Sequence, residues 1–423
     1  MAMSFKRKLI LMVVSLVLLT QVAALVQYVF STNAQRNDIK KSFEEYANTL
    51  NSAISAQFYE RYGDVQAFAI NEIFQTTRTE DMVRMLDMYT NLYGIYDLIL
   101  FVDAKGNYVA SNSKDAAGSA LNVSALKEKN YTEEVWFKNA VSRAFTEDKV
   151  KGFTGTYVEA PAYDSLIKIA SGKKTFANGF SAPVYDSKGN VIGAITNRAN
   201  FKWAENEVLN VYNTMKVNGL QHANIVVLDY KGQIIIDLNP VATGKVEVNH
   251  DENILTKFNL LEKGHLGAVA MIKDNFEGVM DTVNLRTQKN ELAAINRFEN
   301  PKFLTKALGW GIMVRDQKDD LYASLDHAIY IYLTSMFVTM FISAGAGIYL
   351  AQKTSHSLYE ITSAITKSAI QVKQSSEMVA DVSQSISSSS VEIASSIEQS
   401  VASIEEFSSM GKRNLESAQT ASV

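Results

Sequence analysis

Residues 99–111 read ILFVDAKGNYVAS, a β-branched and aromatic run followed by the turn sequence Asp-x-Lys-Gly-Asn and a second such run. The pattern returns as APVYDSKGNVIGAIT at 182–196 and as IVVLDYKGQIIIDL at 225–238. The aspartate supplies a side-chain acceptor and the glycine a positive φ, which tight hairpin turns require. The three stretches therefore predict three β-hairpins.

The order of these hairpins predicts the fold class. Helical or loop stretches separate them, which favours antiparallel sheets packed with helices, an α+β architecture. The first two hairpins belong to one lobe, and the third opens a second lobe that closes with the strand GWGIMV at 309–314. We expect the first lobe to span 76–215 and the second lobe to span 216–326.

A long amphipathic helix is predicted before the lobes. Between 31 and 75 the chain contains no proline and a single glycine, Gly63. Apolar side chains recur there at helical spacing, as on a helix face that packs against a core. The recurring positions are Phe43, Ala47, Leu50, Ile54, Phe58, Val65 and Phe68. We therefore expect one helix over 31–75 that packs along the folded lobes.

Composition excludes several classes of function. The 423-residue chain is 47% hydrophobic and has a formal net charge of -4, which gives no basic field for nucleic acid. It has no cysteine, which removes disulfides, thiolate nucleophiles and cysteine-based zinc sites. The five histidines are scattered singly, predict no metal site and are expected at surface or loop positions: His222, His250, His265, His327 and His356. With no P-loop and no catalytic constellation, we expect neither an enzyme nor a bound cofactor.

Two apolar runs are long enough to cross a bilayer. The first spans 9–30 after the basic N-terminus, 1–8, and the second spans 327–351 and is followed by basic residues. A cleaved signal peptide is the rival interpretation of the first run, but the apolar core is too long for most such peptides. Because basic residues flank both runs on the same side, the positive-inside rule places 1–8 and 352–423 in the cytoplasm and 31–326 outside.

Beyond the second run, apolar residues lie seven apart without interruption, which is a specific sign of a coiled coil. These positions are Leu358, Ile365, Val372, Val379, Ile386 and Ile393. The other core position is mostly serine: Ile361, Ser368, Ser375, Val382, Ser389 and Ser396. Since serine buries little apolar surface, we expect one continuous helix per chain in a bundle that is only marginally packed.

Paired acidic or amide residues recur one heptad apart in ASSIEQSVASIEEFSSM, residues 394–410. Each pair, EQ at 398–399 and EE at 405–406, has a small residue three positions before it and another three positions after it. A solvated acidic face on an ordinary coiled coil is one explanation of such charges.

The same stretch resembles the first adaptation helix of methyl-accepting chemotaxis proteins, the bacterial transmembrane chemoreceptors. In that family the second member of each pair is methylated, which implies methylation at Gln399 and Glu406. A partial match just before them adds Glu392. Since a methyl ester or a glutamine has nearly the same shape as glutamate but no charge, each modification would shift the packing of adjacent helices.

The resemblance also implies partners. The chain would form a homodimer within higher-order receptor arrays. A chemotaxis histidine kinase and a coupling protein would dock on a hairpin tip that is not present in this chain, so we expect a C-terminally incomplete receptor. A methyltransferase and a methylesterase would act on the acid pairs. The HAMP relay usual in the family is not evident after the second apolar run.

A long helix followed by two hairpin-built lobes resembles the double-Cache sensors of such receptors. Their lobes are PAS-like, and the membrane-distal lobe binds a small molecule. Residues 31–326 match this arrangement. The family's pattern for amino-acid ligands implies five ligand contacts here: Trp136, Phe137, Tyr157, Glu159 and Arg198.

Two charged positions depart from that pattern. Glu134 stands where the pattern has an arginine, and Arg198 stands near where it has an aspartate, so the charges look exchanged. An arginine would clamp a ligand carboxylate, and an aspartate would hold an ammonium group. A polyamine or other cation, and an organic acid that reaches Arg198, both stay open as ligands. Core packing is the alternative role for the aromatic residues.

These features predict a transmembrane chemoreceptor of the bacterial cytoplasmic membrane. Its extracytoplasmic α+β sensor would bind a small molecule, and two transmembrane helices would connect it to a cytoplasmic coiled coil. The receptor would control a chemotaxis histidine kinase and adapt by reversible glutamate methylation. One alternative is the sensor part of a histidine kinase or a diguanylate cyclase, and another is a ligand-binding membrane protein that does not signal.

Overall fold

The computed structural model describes residues 5–149, 152–255, 257–298 and 309–420. The chain divides into two compact units, one formed by Tyr28–Tyr330 and the other by Met1–Gln27 together with Ile331–Val423. Both β-sheets belong to the first of these units.

The first helix, α1, runs over Phe5–Ala69. The predicted first span and the helix predicted over 31–75 are therefore one helix, and the expected end at residue 75 is wrong. Asn71 is the reason, because its side chain accepts a hydrogen bond from the Ile73 N–H at 3.0 Å and caps a separate 3₁₀ turn, Glu72–Gln75.

The apolar face predicted for α1 is confirmed as core, since none of its seven side chains is more than 2% exposed. Phe58 illustrates the packing. Its ring lies edge-on to Phe180 in the first lobe at 5.4 Å between centroids, and to Trp310 in the second lobe at 6.1 Å. Helix α1 therefore packs along both lobes, as the sequence predicted.

The described part of the first lobe contains an antiparallel sheet and four helices. The strands are β1 (Tyr96–Asp103), β2 (Tyr108–Ser111), β3 (Tyr157–Val158), β4 (Ala162–Tyr163), β5 (Phe176–Tyr185) and β6 (Val191–Asn200). The helices are α2 (Thr79–Tyr93), α3 (Val123–Lys127), α4 (Val135–Ser142) and α5 (Ser165–Ser171). The strand order is β2-β1-β6-β5-β3, and β4 also pairs with β5. Strand β6 is thus the middle strand of the sheet.

Within its described residues, the second lobe repeats this plan with five antiparallel strands. They are β7 (Asn224–Leu228), β8 (Ile234–Leu238), β9 (Gly278–Val283), β10 (Asn290–Arg297) and β11 (Gly311–Gln317). The helices are α6 (Lys202–Val217), which follows β6, then α7 (Pro240–Thr243), α8 (Glu252–Leu255) and α9 (Leu266–Lys273). The order β8-β7-β11-β10-β9 places β11 in the middle. The prediction of two antiparallel sheet lobes is confirmed.

The three predicted hairpins are confirmed as β1/β2, β5/β6 and β7/β8. The first turn shows how the motif works. Asp103 Oδ1 accepts hydrogen bonds from the N–H groups of Lys105 at 2.9 Å and Asn107 at 2.8 Å, while Gly106 takes a φ of 79°. Local turn chemistry alone therefore determines these hairpins.

A fourth hairpin, β9/β10, has no glycine signal in its turn. Asn284 provides the acceptor there, because its Oδ1 accepts from the Arg286 N–H at 2.9 Å. Gln288 takes the positive φ, 59°, that glycine supplies in the other turns. Since non-glycine residues rarely adopt this conformation, the turn could not be predicted from its residue types.

The first sheet has two different faces. Ile99 and Phe180 belong to the core cluster that includes the buried face of α1. Leu98 and Leu100, which alternate with Ile99, pack instead with Trp136 of α4 and with side chains of α3 and α5. The face away from α1 is therefore covered by short helices, and the candidate site lies there.

The last helix, α10, spans Lys318–Thr420 and confirms the continuous helix predicted after the second apolar run. Helices α1 and α10 are both long and apolar enough to cross a membrane. In the smaller unit, Gln21 Nε2 donates to Thr339 Oγ1 at 3.1 Å, and Gly347 lies against Val13. A glycine at such a contact lets two helices approach closely.

Candidate ligand site in the first lobe

Arg198 lies near the end of the middle strand β6, on the face that the short helices cover. In the ladder it pairs with Leu98 of β1 and with Gly179 of β5. Its side chain is only 5% exposed. A guanidinium group cannot lose its charge in proteins, so a buried one requires anionic partners.

Two carboxylates provide those partners. Arg198 NH1 lies 2.5 Å from Glu159 Oε2 and 3.2 Å from Asp164 Oδ2. The backbone fixes both acids, since the Glu159 N–H donates to the Gly179 carbonyl at 2.9 Å. Asp164 is the N-cap of α5, and its Oδ1 accepts from the Ile167 N–H at 2.8 Å. The two carboxylates are thus held in place by elements on either side of the arginine.

An aromatic side chain closes the site. The Arg198 guanidinium carbon lies 5.5 Å from the centre of the fully buried Trp136 ring, within the range of a cation–π contact. Phe137 packs edge-on against Trp136 at 5.9 Å, and Tyr157 borders the same cluster partly buried. We call the group formed by Arg198, Glu159, Asp164 and Trp136 the Arg198 cluster.

The Arg198 cluster contains two carboxylates and one guanidinium, which leaves one negative charge in excess. Burial raises the pKa of Glu159, the positive charge of Arg198 opposes this, and the charge of Asp164 adds to it. Burial alone would lower the pKa of Arg198, but the carboxylates of Glu159 and Asp164 outweigh it and raise that pKa. The arginine stays charged, and Glu159 is the group that would gain from a further positive charge.

Glu159 also connects the cluster to solvent. Its side chain is 27% exposed, whereas that of Asp164 is 7% exposed. Among the described residues, three buried nitrogens of the cluster have no hydrogen-bond partner, Trp136 Nε1 and Nε and NH2 of Arg198, while Glu159 Oε2 has only its ion pair with Arg198. Buried polar atoms almost always have partners. A bound molecule with a donor group for Glu159 and an oxygen acceptor for Arg198 would supply them.

The structure brings Trp136, Glu159 and Arg198 together, as expected of ligand contacts, and their contact with a ligand stays a prediction. Glu134 does not join them. Its carboxylate pairs with Lys129 at 2.7 Å, so Glu159 and not Glu134 is the glutamate that balances Arg198.

Sequence reasoning missed Asp164. The available signal was the run Asp-Ser-Leu-Ile, an acidic N-cap before a short apolar helix. That signal predicts where α5 begins. It says nothing of a contact with Arg198 on another strand, 34 positions later in the chain.

His265 lies in a loop, as expected, but it is not at the surface. This residue is buried at the N-cap of α9, where Nδ1 accepts from the Ala268 N–H at 3.3 Å and Nε2 lies 3.3 Å from Glu291 Oε1. Within the described ranges, no group of three or more histidine, aspartate or glutamate residues is arranged to hold a metal ion.

No protein-family model and no curated protein matches this chain. Among solved structures it is similar to the ligand-binding domain of the Pseudomonas aeruginosa PAO1 amino acid chemoreceptor PctC in complex with GABA, with 13% identity over 66% of this chain and 100% of that chain and a TM-score of 0.43. It is also similar to the ligand-binding domain of the Campylobacter jejuni chemoreceptor Tlp3 in complex with L-valine, with 13% identity, 69% and 97% coverage and a TM-score of 0.45. A third similar structure is the extracellular domain of rpHK1S-Z16, described as a histidine kinase, with 11% identity, 67% and 97% coverage and a TM-score of 0.43. At these identities and TM-scores, the similarities do not indicate what this chain binds.

Proposed function

We propose that the chain is a membrane receptor that binds a small organic cation at the Arg198 cluster and passes the occupancy of that site along α10 to its C-terminal helical segment. The observation that carries this proposal is the excess negative charge of a buried cluster that reaches solvent through Glu159. Uncompensated buried charge is costly, so a cation that completes the cluster gains binding free energy.

The chemistry of the cluster favours an ammonium compound. An ammonium group beside Glu159 would neutralise the excess charge, and an oxygen on the same molecule would accept from Arg198. Such charge-assisted hydrogen bonds are roughly twice as strong as neutral ones. An organic acid is the poorer candidate, because the guanidinium already shares its charge between Glu159 and Asp164.

A continuous set of contacts leads from the site toward α10. Helix α6 begins just after the strand that carries Arg198, and its Trp203 stacks on Trp310 with centroids 6.4 Å apart. Trp310 precedes β11, and the last residue of β11, Gln317, is directly followed by Lys318, the first residue of α10. A change at the site can therefore reach α10 through packed elements, and receptor helices typically shift by about 1–2 Å.

The C-terminal part of α10 suits adaptation by methylation. Gln399, Glu406 and Glu392 are exposed in the single chain, so a methyltransferase and a methylesterase would have access to them. The apolar heptad side chains from Leu358 to Ile393 are 42–66% exposed, and a second copy of the chain would cover them in a homodimer. The further partners in this proposal are a chemotaxis histidine kinase and a coupling protein, in receptor arrays.

Two apolar helices support a location in the bacterial cytoplasmic membrane, with 31–326 outside and 352–423 inside. A signal passed from one compartment to the other would then travel along α10.

A spin label on α10 tests both ligand binding at the Arg198 cluster and transmission along α10. The label can be attached to one introduced cysteine, because the chain has no cysteine of its own. Lys367→Cys places one label on an exposed position of α10 in the full chain, reconstituted in lipid nanodiscs. Ethanolamine or putrescine is expected to change the label-to-label distance distribution of the homodimer. Glu159→Gln should abolish this change. The matched control is Glu133→Gln, because Glu133 is exposed and pairs with Lys138 at the surface.

Two results would count against the proposal. Amine binding with an unchanged distance distribution contradicts transmission along α10. A distance change that persists in the Glu159→Gln variant contradicts the Arg198 cluster as the binding site.

A further inference from the structure

Arg315 of β11 occupies, in the second lobe, the position that Arg198 of β6 occupies in the first. Each arginine lies on the middle strand of its sheet. Arg198 pairs with Leu98 of β1, which lies five positions before the turn aspartate Asp103. Arg315 pairs with Asn224 of β7, which lies five positions before the turn aspartate Asp229. The two lobes therefore carry a buried arginine at the same place in the same strand arrangement.

The sheet face is also equivalent. Gly311 and Met313 lie on the same face of β11 as Arg315, since side chains alternate along a strand. Helix α9 covers that face, because Met271 contacts Gly311, and Gly267 of α9 packs so close to Met313 that a Cβ at position 267 would lie 3.1 Å from Met313 Sδ. The Arg315 side chain is 2% exposed. In both lobes the arginine thus lies beneath a short helix.

The charges around Arg315 are balanced, in contrast to the first lobe. Arg315 NH1 lies 3.1 Å from Glu291 Oε1. Glu291 also accepts from Thr282 Oγ1 at 3.1 Å and from Asn284 Nδ2 at 3.0 Å, and His265 lies 3.3 Å away. Burial would raise the pKa of Glu291, but Arg315 and His265 lower it below its ordinary value. The glutamate is ionised and satisfied, so no further charge is required here.

Three further polar atoms, two amide oxygens and one nitrogen of the charged guanidinium, are not satisfied. Asn224 Oδ1, Arg315 Nε and Gln317 Oε1 are buried, and within the described part of the chain none of them has a hydrogen-bond partner. Asn224 lies directly opposite Arg315 in the ladder, and Gln317 is two residues further along β11 on the same face. One donor and two amide oxygens therefore belong to neighbouring positions on one face of this sheet, at the end that adjoins α10.

We propose that the second lobe contains a second binding site, centred on Asn224, Arg315 and Gln317, for a small uncharged molecule with an oxygen acceptor and N–H donors, such as a primary amide or a urea. The oxygen accepts from Arg315 Nε, and the N–H groups donate to the two side-chain carbonyls. Asparagine and glutamine can also turn to present their NH₂ groups, and an amide complements either orientation.

A charged ligand is excluded by the surrounding ion pairs. Arg315 is already paired with Glu291. On the nearby strand β8, Asp237 accepts hydrogen bonds from both terminal nitrogens of Arg286, at 2.7 and 2.8 Å. An added charge would meet no unbalanced counter-charge among these groups, and burying it would cost more than its hydrogen bonds return.

The position of the site gives it a role separate from that of the Arg198 cluster. Gln317 is the last residue of β11, and α10 begins at the next residue. Occupancy of the second site therefore acts directly where the sheet joins α10, whereas the first site is connected to α10 through α6 and β11.

Ligand-detected NMR on the full chain in nanodiscs tests this site with acetamide as the probe and acetate as its charged counterpart. Saturation transfer to acetamide, and not to acetate, is expected. Gln317→Met keeps the side-chain length and removes the amide, and should weaken acetamide binding on the order of tenfold. Arg315→Lys keeps a positive charge beside Glu291 but removes Nε, and it should weaken acetamide binding to a similar extent.

The controls separate this site from the first. The Glu159→Gln variant should lose the ethanolamine-dependent change in the label-to-label distance distribution, while saturation transfer to acetamide persists. Unchanged melting temperatures of the Gln317→Met and Arg315→Lys variants exclude unfolding as the cause of weaker binding. The inference is overturned if acetamide shows no saturation transfer, if both variants bind it like the parent chain, or if a crystal structure grown with acetamide shows only water between the three groups.

Discussion

Gly179 lies directly opposite Arg198 in the β5/β6 ladder, and a Cβ at position 179 would collide with the Glu159 carboxylate and the Arg198 guanidinium. The φ of Gly179 is not in the left-handed region, so the glycine provides space and not conformational freedom. The missing side chain is what allows the ion pair to lie flat on the sheet.

Gly179→Ala should therefore damage the Arg198 cluster. We expect the free energy of unfolding to fall by about 1–3 kcal/mol, as for other overpacked sites, and ethanolamine binding to be lost. Chemical denaturation of the full chain in detergent, followed by tryptophan fluorescence, measures the first effect. The matched control is Gly63→Ala in α1, where a Cβ meets nothing within 4 Å and helix propensity predicts a gain of up to about 1 kcal/mol. Parent-like stability and amine binding of Gly179→Ala would contradict the prediction.

Removal of each arginine should have unequal costs. Arg198→Met leaves Glu159 and Asp164 without their cation, and breaking such a buried pair costs about 3–5 kcal/mol. Arg315→Met should cost less, because Glu291 keeps its contacts with Thr282, Asn284 and His265.

The deficit of Arg198→Met should also shrink as pH falls, since burial raises the pKa of Glu159 and its protonation removes one of the unpaired charges. Denaturation midpoints of both variants over a range of pH provide the comparison. Equal costs at neutral pH, or a deficit in Arg198→Met that does not change with pH, would show that the charges are not coupled as the distances indicate.

The buried carboxyl of Asp316 should make the stability of the second lobe depend on pH. The carboxyl is 2% exposed at the end of β11, where it accepts from the Gln317 N–H at 2.7 Å, and burial raises its pKa to about 7. Because the folded-state pKa is above the unfolded value, this group's contribution is fully present below about pH 4 and is lost as pH rises to about 7. The total change is on the order of 4 kcal/mol.

Asp316→Asn should flatten this dependence, because an amide cannot ionise. Thermal unfolding of the full chain between about pH 4 and pH 8 measures the slope. Asp319→Asn is the control, since Asp319 is an exposed acid in the first turn of α10 and its removal should leave the slope unchanged. An identical slope in the parent and in Asp316→Asn would refute the assignment.

The acid pairs of α10 should act between helices and not within one. No acid lies three or four residues from Glu406 in the sequence, so repulsion within the helix is small. Glu406→Gln is therefore expected to stabilise a homodimer by a few tenths to about 1 kcal/mol, an effect that salt reduces.

Glu377→Gln is the opposite control, because Glu377 lies 3.8 Å from Lys373 as an i,i+4 ion pair. Sedimentation equilibrium at low and high salt measures the homodimer dissociation constants of the Glu406→Gln and Glu377→Gln variants. A Glu406→Gln effect that is absent, or insensitive to salt, would leave the charge-tuning hypothesis without support.

The sequence predicted those parts of the fold that local chemistry determines. The turns at Asp103, Asp186 and Asp229 contain their own acceptor and glycine, and the buried face of α1 follows from helical spacing alone. The β9/β10 hairpin was missed because Gln288 adopts a conformation usually left to glycine. The end of α1 was misplaced because Asn71 starts a separate turn.

The candidate site was predicted only in part for a similar reason. The resemblance to the family's ligand pattern pointed to Trp136, Glu159 and Arg198, whose contact with a ligand stays a prediction. Asp164 and the burial of His265 were not predicted, because each is defined by a contact with a strand distant in sequence, at Arg198 and at Glu291 respectively. Pairings of this kind depend on sheet register, which no single segment contains.

Isothermal titration calorimetry on the full chain in nanodiscs tests the central claim most directly, with ethanolamine and putrescine compared with succinate, a dicarboxylate of the same carbon-chain length as putrescine. We predict that the amines bind and succinate does not. Glu159→Gln should weaken amine binding by tenfold or more, on the order of 1.4 kcal/mol, while Glu133→Gln leaves it unchanged. Binding of succinate without the amines, or equal amine affinity in the parent and in Glu159→Gln, would contradict the Arg198 cluster as a site for organic cations.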